Sequence, residues 1–122
     1  MAIEYDYDVD GRLLSITAKG TDDNLEDVGN YARAVLGLSM KNNCNQIICD
    51  ERELEYTLST LDTFTLAESA SREARNLDKI AIVCQQRQLR DGKFYETVST
   101  NRGLSVFVTS SKDQAMEWLK SK

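Results

Sequence analysis

The sequence contains no histidine and no proline. Without histidine, the chain has no imidazole for general acid–base catalysis, for activating a serine or cysteine nucleophile, or for binding a metal ion. Without proline, it has neither cis-prolyl turns nor polyproline linkers. These absences exclude histidine-dependent catalysis and imidazole metal sites.

Positive charge and long apolar runs are also scarce. The 15 lysines and arginines face 20 acidic residues, for a net charge of −5, whereas nucleic-acid binding requires a basic face. No apolar run approaches the roughly 20 residues of a membrane helix, and the acidic N-terminal segment does not resemble a signal peptide. We therefore expect a cytoplasmic protein with no membrane span and no nucleic-acid partner.

The cysteines do not form a redox or metal motif. There are three, an odd number, and no pair has Cys-x-x-Cys spacing. Cys49 and Cys84 lie in apolar strand candidates, where a free cysteine is usually a small buried residue. Cys44, between two asparagines, is expected to be exposed, which makes it the thiol to test for reactivity.

The composition is that of a soluble globular protein. With 122 residues, 41% apolar and 29% charged, the chain is expected to form one domain over residues 1–122. Its first ten residues alternate, which predicts a strand with one face on the core and an acidic face in water. Asp10-Gly11 then predicts a hairpin to a second strand. The predicted inward positions of the first strand are Ile3, Tyr5, Tyr7 and Val9.

Helical and apolar segments alternate through the rest of the chain. Apolar residues at three- and four-residue spacing predict helices, and short apolar runs predict buried strands. The order β-β-α-β-α-β-α-β-α predicts an α/β fold with a five-stranded mixed, mostly parallel sheet and an N-terminal antiparallel hairpin. The predicted markers of the first half are a first-helix cap at Thr21 or Asp22, a strand at 46–49 and a helix from Ser59. Those of the second half are a strand at 79–84, a helix from about Leu89 or Asp91 to Arg102 ended by Gly103, a strand in "LSVFV" and a last helix capped by Ser110 or Ser111.

This pattern resembles a known family. The hairpin "YDVDGRLLSITAKG", the strand end "IICDERELEYTLST", the strand "DKIAIVC" and the ending "LSVFVTSSKDQAMEWL" are similar to the STAS/SEC14-like, or SpoIIAA-like, small bacterial domains. The resemblance implies a non-catalytic module that binds a protein partner or a small apolar ligand. The anti-sigma-factor antagonists of this group carry a phosphorylatable serine in an Asp-Ser-Ser/Thr-Gly motif at the helix start after the same strand.

Ser59 and Thr60 occupy that helix start here. No aspartate directly precedes Ser59 and no glycine follows Thr60, so the family motif is incomplete. Ser59 is at once a candidate phosphoacceptor and a candidate helix cap, and a capping serine has no need of a further role.

Charged residues follow both central strands. Asp50 and Glu51 come after one strand, and Arg87 and Arg90 after the other. If these strands are neighbours, the two segments meet at one edge of the sheet, where loops commonly carry function. We predict a partner-binding surface of Asp50, Glu51, Ser59, Thr60, Arg87 and Arg90.

Other uses of these residues are less favoured. A hard-cation site of Asp50, Glu51, Glu53 and Glu55 would be interrupted by Arg52, and the spacing matches no known metal-binding loop. No glycine-rich phosphate loop is present, so no cofactor is predicted.

The leading hypothesis is a non-enzymatic regulatory or protein-binding module. The alternative is a carrier of a small apolar, lipid-like ligand in a pocket lined by aromatic residues, for which the candidates are Tyr5, Tyr7, Phe94, Tyr95 and Trp118. An enzyme using Asp50 or Glu51 as acid or base is the third hypothesis, and it requires carboxylates with shifted pKa values. A homodimer through the hairpin edge would be of the common two-fold type.

Overall fold

The computed structural model describes residues 3–22, 24–74 and 77–121. The predicted order of strands and helices is confirmed. One short 3₁₀ turn (Gln86–Gln88) precedes the third helix. The elements are β1 (Ile3–Asp10), β2 (Leu13–Asp22), α1 (Leu25–Lys41), β3 (Gln46–Tyr56), α2 (Thr60–Glu73), β4 (Lys79–Val83), α3 (Leu89–Asn101), β5 (Val106–Thr109) and α4 (Lys112–Lys120).

The five strands lie side by side in the order β1-β2-β3-β4-β5. β1 pairs antiparallel with β2, and the later neighbours pair in parallel, as predicted. Because successive crossovers share one hand, α1, α2 and α3 lie together on one face of the sheet. α4 packs against β3, β4 and β5 on the other face.

The central strand β3 is buried on both faces at its start. Ile47 and Cys49 belong to the core beneath α1, whereas Ile48 belongs to the core beneath α4. This explains why the segment is apolar without alternation. Cys49 and Cys84 are buried as predicted.

The tyrosines of the edge strand are less covered than predicted. Tyr5 remains 38% exposed and Tyr7 53% exposed. Tyr5 contacts the ring of Tyr31 edge-on, with 5.8 Å between ring centroids. The expectation of a buried face is wrong for Tyr7, because α1 packs mainly on β2 and leaves the outer part of β1 open.

The first helix begins later than predicted. Thr21 and Asp22 continue β2, where they pair with Glu55 and Tyr56 of β3. Neither caps α1. Asn24 is the cap, and its Oδ1 accepts a hydrogen bond of 2.9 Å from the backbone N–H of Asp27. β2 therefore forms two more backbone pairs with β3, and α1 begins only after them.

Cys44 is buried, so the prediction that it is exposed is wrong. Asn43 adopts a left-handed conformation with φ of 55°, which turns the chain back toward α1. The N–H of Cys44 then donates to the carbonyl of Ser39 at 2.8 Å, and the thiol packs into the core beneath α1.

The remaining helix boundaries were well predicted. Ser59 caps α2 and Ser111 caps α4. Gly103 has φ of 90° directly after α3, the left-handed conformation expected of a terminating glycine. Within the described ranges, no helix combines the length and apolarity needed to cross a membrane.

Candidate functional site

The segment predicted as a charged connection is the second half of β3. The strand does not end at Cys49 but continues through Tyr56. Thr17 of β2 pairs with Asp50, and Lys19 pairs with Glu53, so Glu51 and Arg52 together lie opposite a single residue of β2. This is a β-bulge, a feature that changes the direction of side chains. At this bulge Glu51 is buried and Arg52 is exposed.

Two glutamine side chains complete the hydrogen bonding of this half of β3. β4 ends at Val83, so it offers no backbone partner beyond that point. Instead, Gln85 Nε2 donates to the carbonyl of Arg52 at 2.7 Å. Gln88 Nε2 donates to the carbonyl of Leu54 at 2.9 Å, and Gln88 Oε1 accepts from the N–H of Tyr56 at 2.8 Å. The sequence-based predictions did not include these glutamines, whose signal was the polar run "QQRQ" directly after a buried strand.

Glu51 has a carboxylate held by tyrosine hydroxyls. The hydroxyl of Tyr31 donates to Oε2 at 2.9 Å, and the hydroxyl of Tyr56 donates to Oε1 at 2.5 Å. Glu51 is only 8% exposed, and burial raises its pKa although the two hydrogen bonds act in the opposite direction. No lysine or arginine of the described ranges forms an ion pair with it.

The burial of this carboxylate also affects its neighbours. Burial first, then the charge of Cys49 and then that of Glu51 raise the pKa of Tyr31. Burial first, and then the negative charge of Glu51, raise the pKa of Tyr56. The same two causes raise the pKa of Cys84 to about 11. These groups therefore stay protonated at neutral pH, and the tyrosines remain hydrogen-bond donors to Glu51.

A cavity of about 100 Å³ lies beside Glu51, between the sheet and the helices α1, α2 and α3. Of the aromatic residues predicted to line a pocket, Tyr95 lines this one. Trp118 instead packs on Phe107, with 5.4 Å between ring centroids, and Phe94 is partly exposed. The lining residues are Asp22, Val28, Tyr31, Ala32, Glu51, Leu54, Tyr56, Leu58, Thr63, Leu66, Ile82, Asp91, Gly92, Tyr95 and Val108.

Asp50 lies in a different environment from its neighbour Glu51. The guanidinium of Arg52 donates to both of its carboxylate oxygens, at 2.9 and 2.6 Å. These hydrogen bonds hold the pKa of Asp50 below its usual value. The carboxylates considered for a cation site therefore lie in different environments and have different partners. In the described part of the chain, no group of three or more acidic or cysteine side chains is placed to hold a metal ion.

The acidic and basic segments meet at the carboxyl edge of the sheet, as predicted from neighbouring parallel strands. Glu55 on β3 forms an ion pair with Arg87. Leu61 extends from the first turn of α2 and is 72% exposed. We call the outward residues of this edge the α2–α3 surface: Glu55, Ser59, Thr60, Leu61, Arg87 and Arg90. Of the predicted contact residues, Glu51 lies inside the domain and Asp50 is only partly exposed.

No family model and no curated protein sequence matches the chain. Several solved structures do match its fold. An anti-sigma factor antagonist from Mycobacterium paratuberculosis aligns over 98% of this chain and 96% of its own, with a TM-score of 0.64 and 11% identity. An uncharacterised protein with a SpoIIAA-like fold from Shewanella loihica aligns over 97% and 94%, with a TM-score of 0.54 and 18% identity.

The anti-sigma factor antagonist SpoIIAA in its unphosphorylated form is also similar. It aligns over 98% of this chain and all of its own, with a TM-score of 0.52 and 10% identity. The chain therefore has a SpoIIAA-like fold, and the resemblance inferred from its strand and helix pattern is confirmed at the level of the fold.

Replacing Gln88 tests whether its side chain stabilises β3. The change Gln88→Ala leaves the carbonyl of Leu54 and the N–H of Tyr56 without their partner. We expect the free energy of unfolding, measured with urea, to fall by about 2–4 kcal/mol. Gln86→Ala, at an exposed position of the same turn, is the control and should change stability by less than about 0.5 kcal/mol. Equal effects of both changes would contradict this role.

The raised pKa of Glu51 predicts a pH-dependent stability. The folded state keeps the proton of Glu51 above pH 4.5, the ordinary pKa, where the unfolded chain releases it. The stability that Glu51 contributes is therefore complete below that pH and is lost as pH rises through the folded-state pKa. Urea unfolding of Glu51→Gln should show a free energy that increases relative to wild type as pH rises from about 4.5.

The exposed Glu53 on the same strand provides the control for this titration. Glu53→Gln also removes one carboxylate, but from an exposed position, where a substitution usually changes stability by less than about 0.5 kcal/mol. A difference between wild type and Glu51→Gln that stays constant between acidic and neutral pH would contradict the assignment.

Proposed function

We propose that this chain is a regulatory module that binds a protein partner through the α2–α3 surface. The observation that carries the proposal is the position of Leu61, a large apolar side chain that is 72% exposed and flanked by hydroxyl and charged side chains. Protein-binding surfaces have an apolar centre and a polar rim, and Leu61 with its polar neighbours would supply such a centre.

The similar structures support this proposal. Two of them are anti-sigma factor antagonists, a class whose name denotes action on another protein. We extend only that general role to this chain and propose that it has no catalytic activity of its own and acts in the cytoplasm. The absence of histidine and the engagement of Asp50 by Arg52 support a non-enzymatic role.

Ser59 is the proposed phosphoacceptor of this surface. Its side chain is exposed, and its Oγ accepts a hydrogen bond of 3.1 Å from the N–H of Asp62. A phosphate at the same position would accept hydrogen bonds from the unpaired N–H groups of the first turn of α2 and would interact favourably with the helix dipole. Phosphorylation would add negative charge beside Leu61 and so change the contact surface.

Carriage of a small ligand is a second candidate function, favoured by the cavity beside Glu51. Its volume of about 100 Å³ is well below the roughly 300 Å³ at which ligand pockets usually begin. The cavity therefore favours a molecule much smaller than the lipid-like ligand considered from sequence.

The partner proposal is tested by affinity capture from a lysate of the source organism. Leu61→Asp should abolish capture of the protein that wild type retains, because a buried charge would replace the apolar contact. Met40→Asp is the matched control, since Met40 is 67% exposed and lies near the end of α1, at the opposite end of the parallel strands. The captured protein is then titrated, in purified form, against both variants.

Two results would contradict the proposal. In the first, Leu61→Asp binds the purified partner as tightly as Met40→Asp does. In the second, no partner is captured and the purified chain converts a metabolite.

Phosphorylation is tested by mass spectrometry of the protein isolated from its own cells. A phosphate on Ser59 is expected in wild type and in Thr60→Ala, and it should be absent in Ser59→Ala. Loss of the cap should lower the stability of Ser59→Ala by about 1 kcal/mol, which urea unfolding measures separately. Unmodified wild-type protein, or a phosphate that persists in Ser59→Ala, would contradict the assignment.

A further inference from the structure

The cavity beside Glu51 combines an apolar wall with a single kind of charge. Most of its lining consists of aliphatic side chains and the rings of Tyr31, Tyr56 and Tyr95. Its ionisable residues other than tyrosine are the three acids Asp22, Glu51 and Asp91, and none of the described lining residues is basic. The cavity therefore has an acceptor for a cation but no cation of its own.

Glu51 is the acid that faces this space from inside the domain. Both of its oxygens accept a tyrosine hydroxyl, at 2.9 and 2.5 Å, an arrangement that suits an ionised carboxylate. Asp22, in contrast, is engaged by the N–H and the hydroxyl of Thr57. A buried carboxylate without a basic partner is expensive to maintain, and a bound cation would offset that cost.

A second cavity extends the space around Glu51. It has a volume of about 60 Å³ and shares Tyr31, Glu51 and Tyr95 with the first. Its other lining residues include the apolar Val35, Ile47, Ala70 and Ile80. An apolar cavity of about 150 Å³ holds a benzene molecule. The two cavities around Glu51, taken together, therefore fit a short branched alkyl group.

We propose that this cavity binds a small organic cation, a protonated amine with a compact aliphatic body, with Glu51 as its counter-ion and Tyr31 and Tyr56 as aromatic contacts. The ammonium donates to the carboxylate, and the tyrosine rings contribute cation–π attraction. An organic cation fits better than a metal ion, because the described acids are not grouped for metal coordination. The inference is independent of the partner-binding proposal, since the cavity and the α2–α3 surface share no residue.

The test compares 3-methylbutylamine with 3-methylbutan-1-ol, which has the same shape but no charge. Each is titrated into the full-length isotope-labelled protein at pH 7 and followed by the backbone amide resonances of Glu51, Leu54 and Gly92. The amine should give saturable shifts at these positions and bind about tenfold more tightly than the alcohol, the factor expected of a charged hydrogen bond. Glu51→Gln should weaken amine binding by about tenfold, whereas Glu53→Gln should leave it unchanged.

Other outcomes would overturn the inference. Equal affinity for the alcohol would identify an apolar site, and magnesium chloride reproducing the same shifts would identify a metal site. Shifts spread over the acidic face of β1 would show non-specific attraction to a chain of net charge −5, and the absence of any saturable shift would show that no amine binds. If Glu51→Gln does not fold, the comparison of amine and alcohol in wild type decides the question.

Discussion

The structure depends on how the second half of β3 satisfies its backbone hydrogen bonds. β2 follows it to Tyr56, but β4 ends at Val83 and leaves the other side without a strand. Buried backbone groups require partners, and Gln85 and Gln88 supply them from the turn before α3. These bonds join the start of α3 to β3. As a result, α3 covers the cavity. Gly92 of α3 lies so close to β5 that a Cβ added to it would be 2.5 Å from Cγ1 of Val108.

The bulge in β3 gives adjacent acids opposite environments. Asp50 remains at the surface with Arg52 as its partner, whereas Glu51 enters the interior and is held by Tyr31 and Tyr56. Burying a carboxylate with only neutral partners opposes folding. A local rule broken in this way is typical of functional positions, and Glu51 borders the cavity that we propose as a cation site. The same strand carries Glu55 outward to the α2–α3 surface, so β3 contributes to both proposed sites.

Part of the candidate site could be predicted from sequence because it follows from local rules. A serine before an amphipathic segment is a helix cap, and Ser59 is one. The carboxyl ends of neighbouring parallel strands meet at one edge, which brings Glu55 to Arg87. The burial of Glu51 could not be predicted in this way, since its neighbours in the chain are charged and the bulge depends on pairing with a distant strand. The roles of Tyr31 and Tyr56 could not be predicted either, because these residues are distant in the chain and come together only at the carboxylate of Glu51.

The sequence by itself determined the order of strands and helices, the antiparallel hairpin and the two-sided burial of the central strands. Those features depend on periodicity and apolar runs that act within a few residues of the chain. Tertiary structure decided that β3 continues through a charged segment, that Cys44 is buried and that the outer part of β1 is left open. Each of these features depends on which helix or strand covers a residue and on how far the neighbouring strand extends. The packing of the whole chain determines these two things.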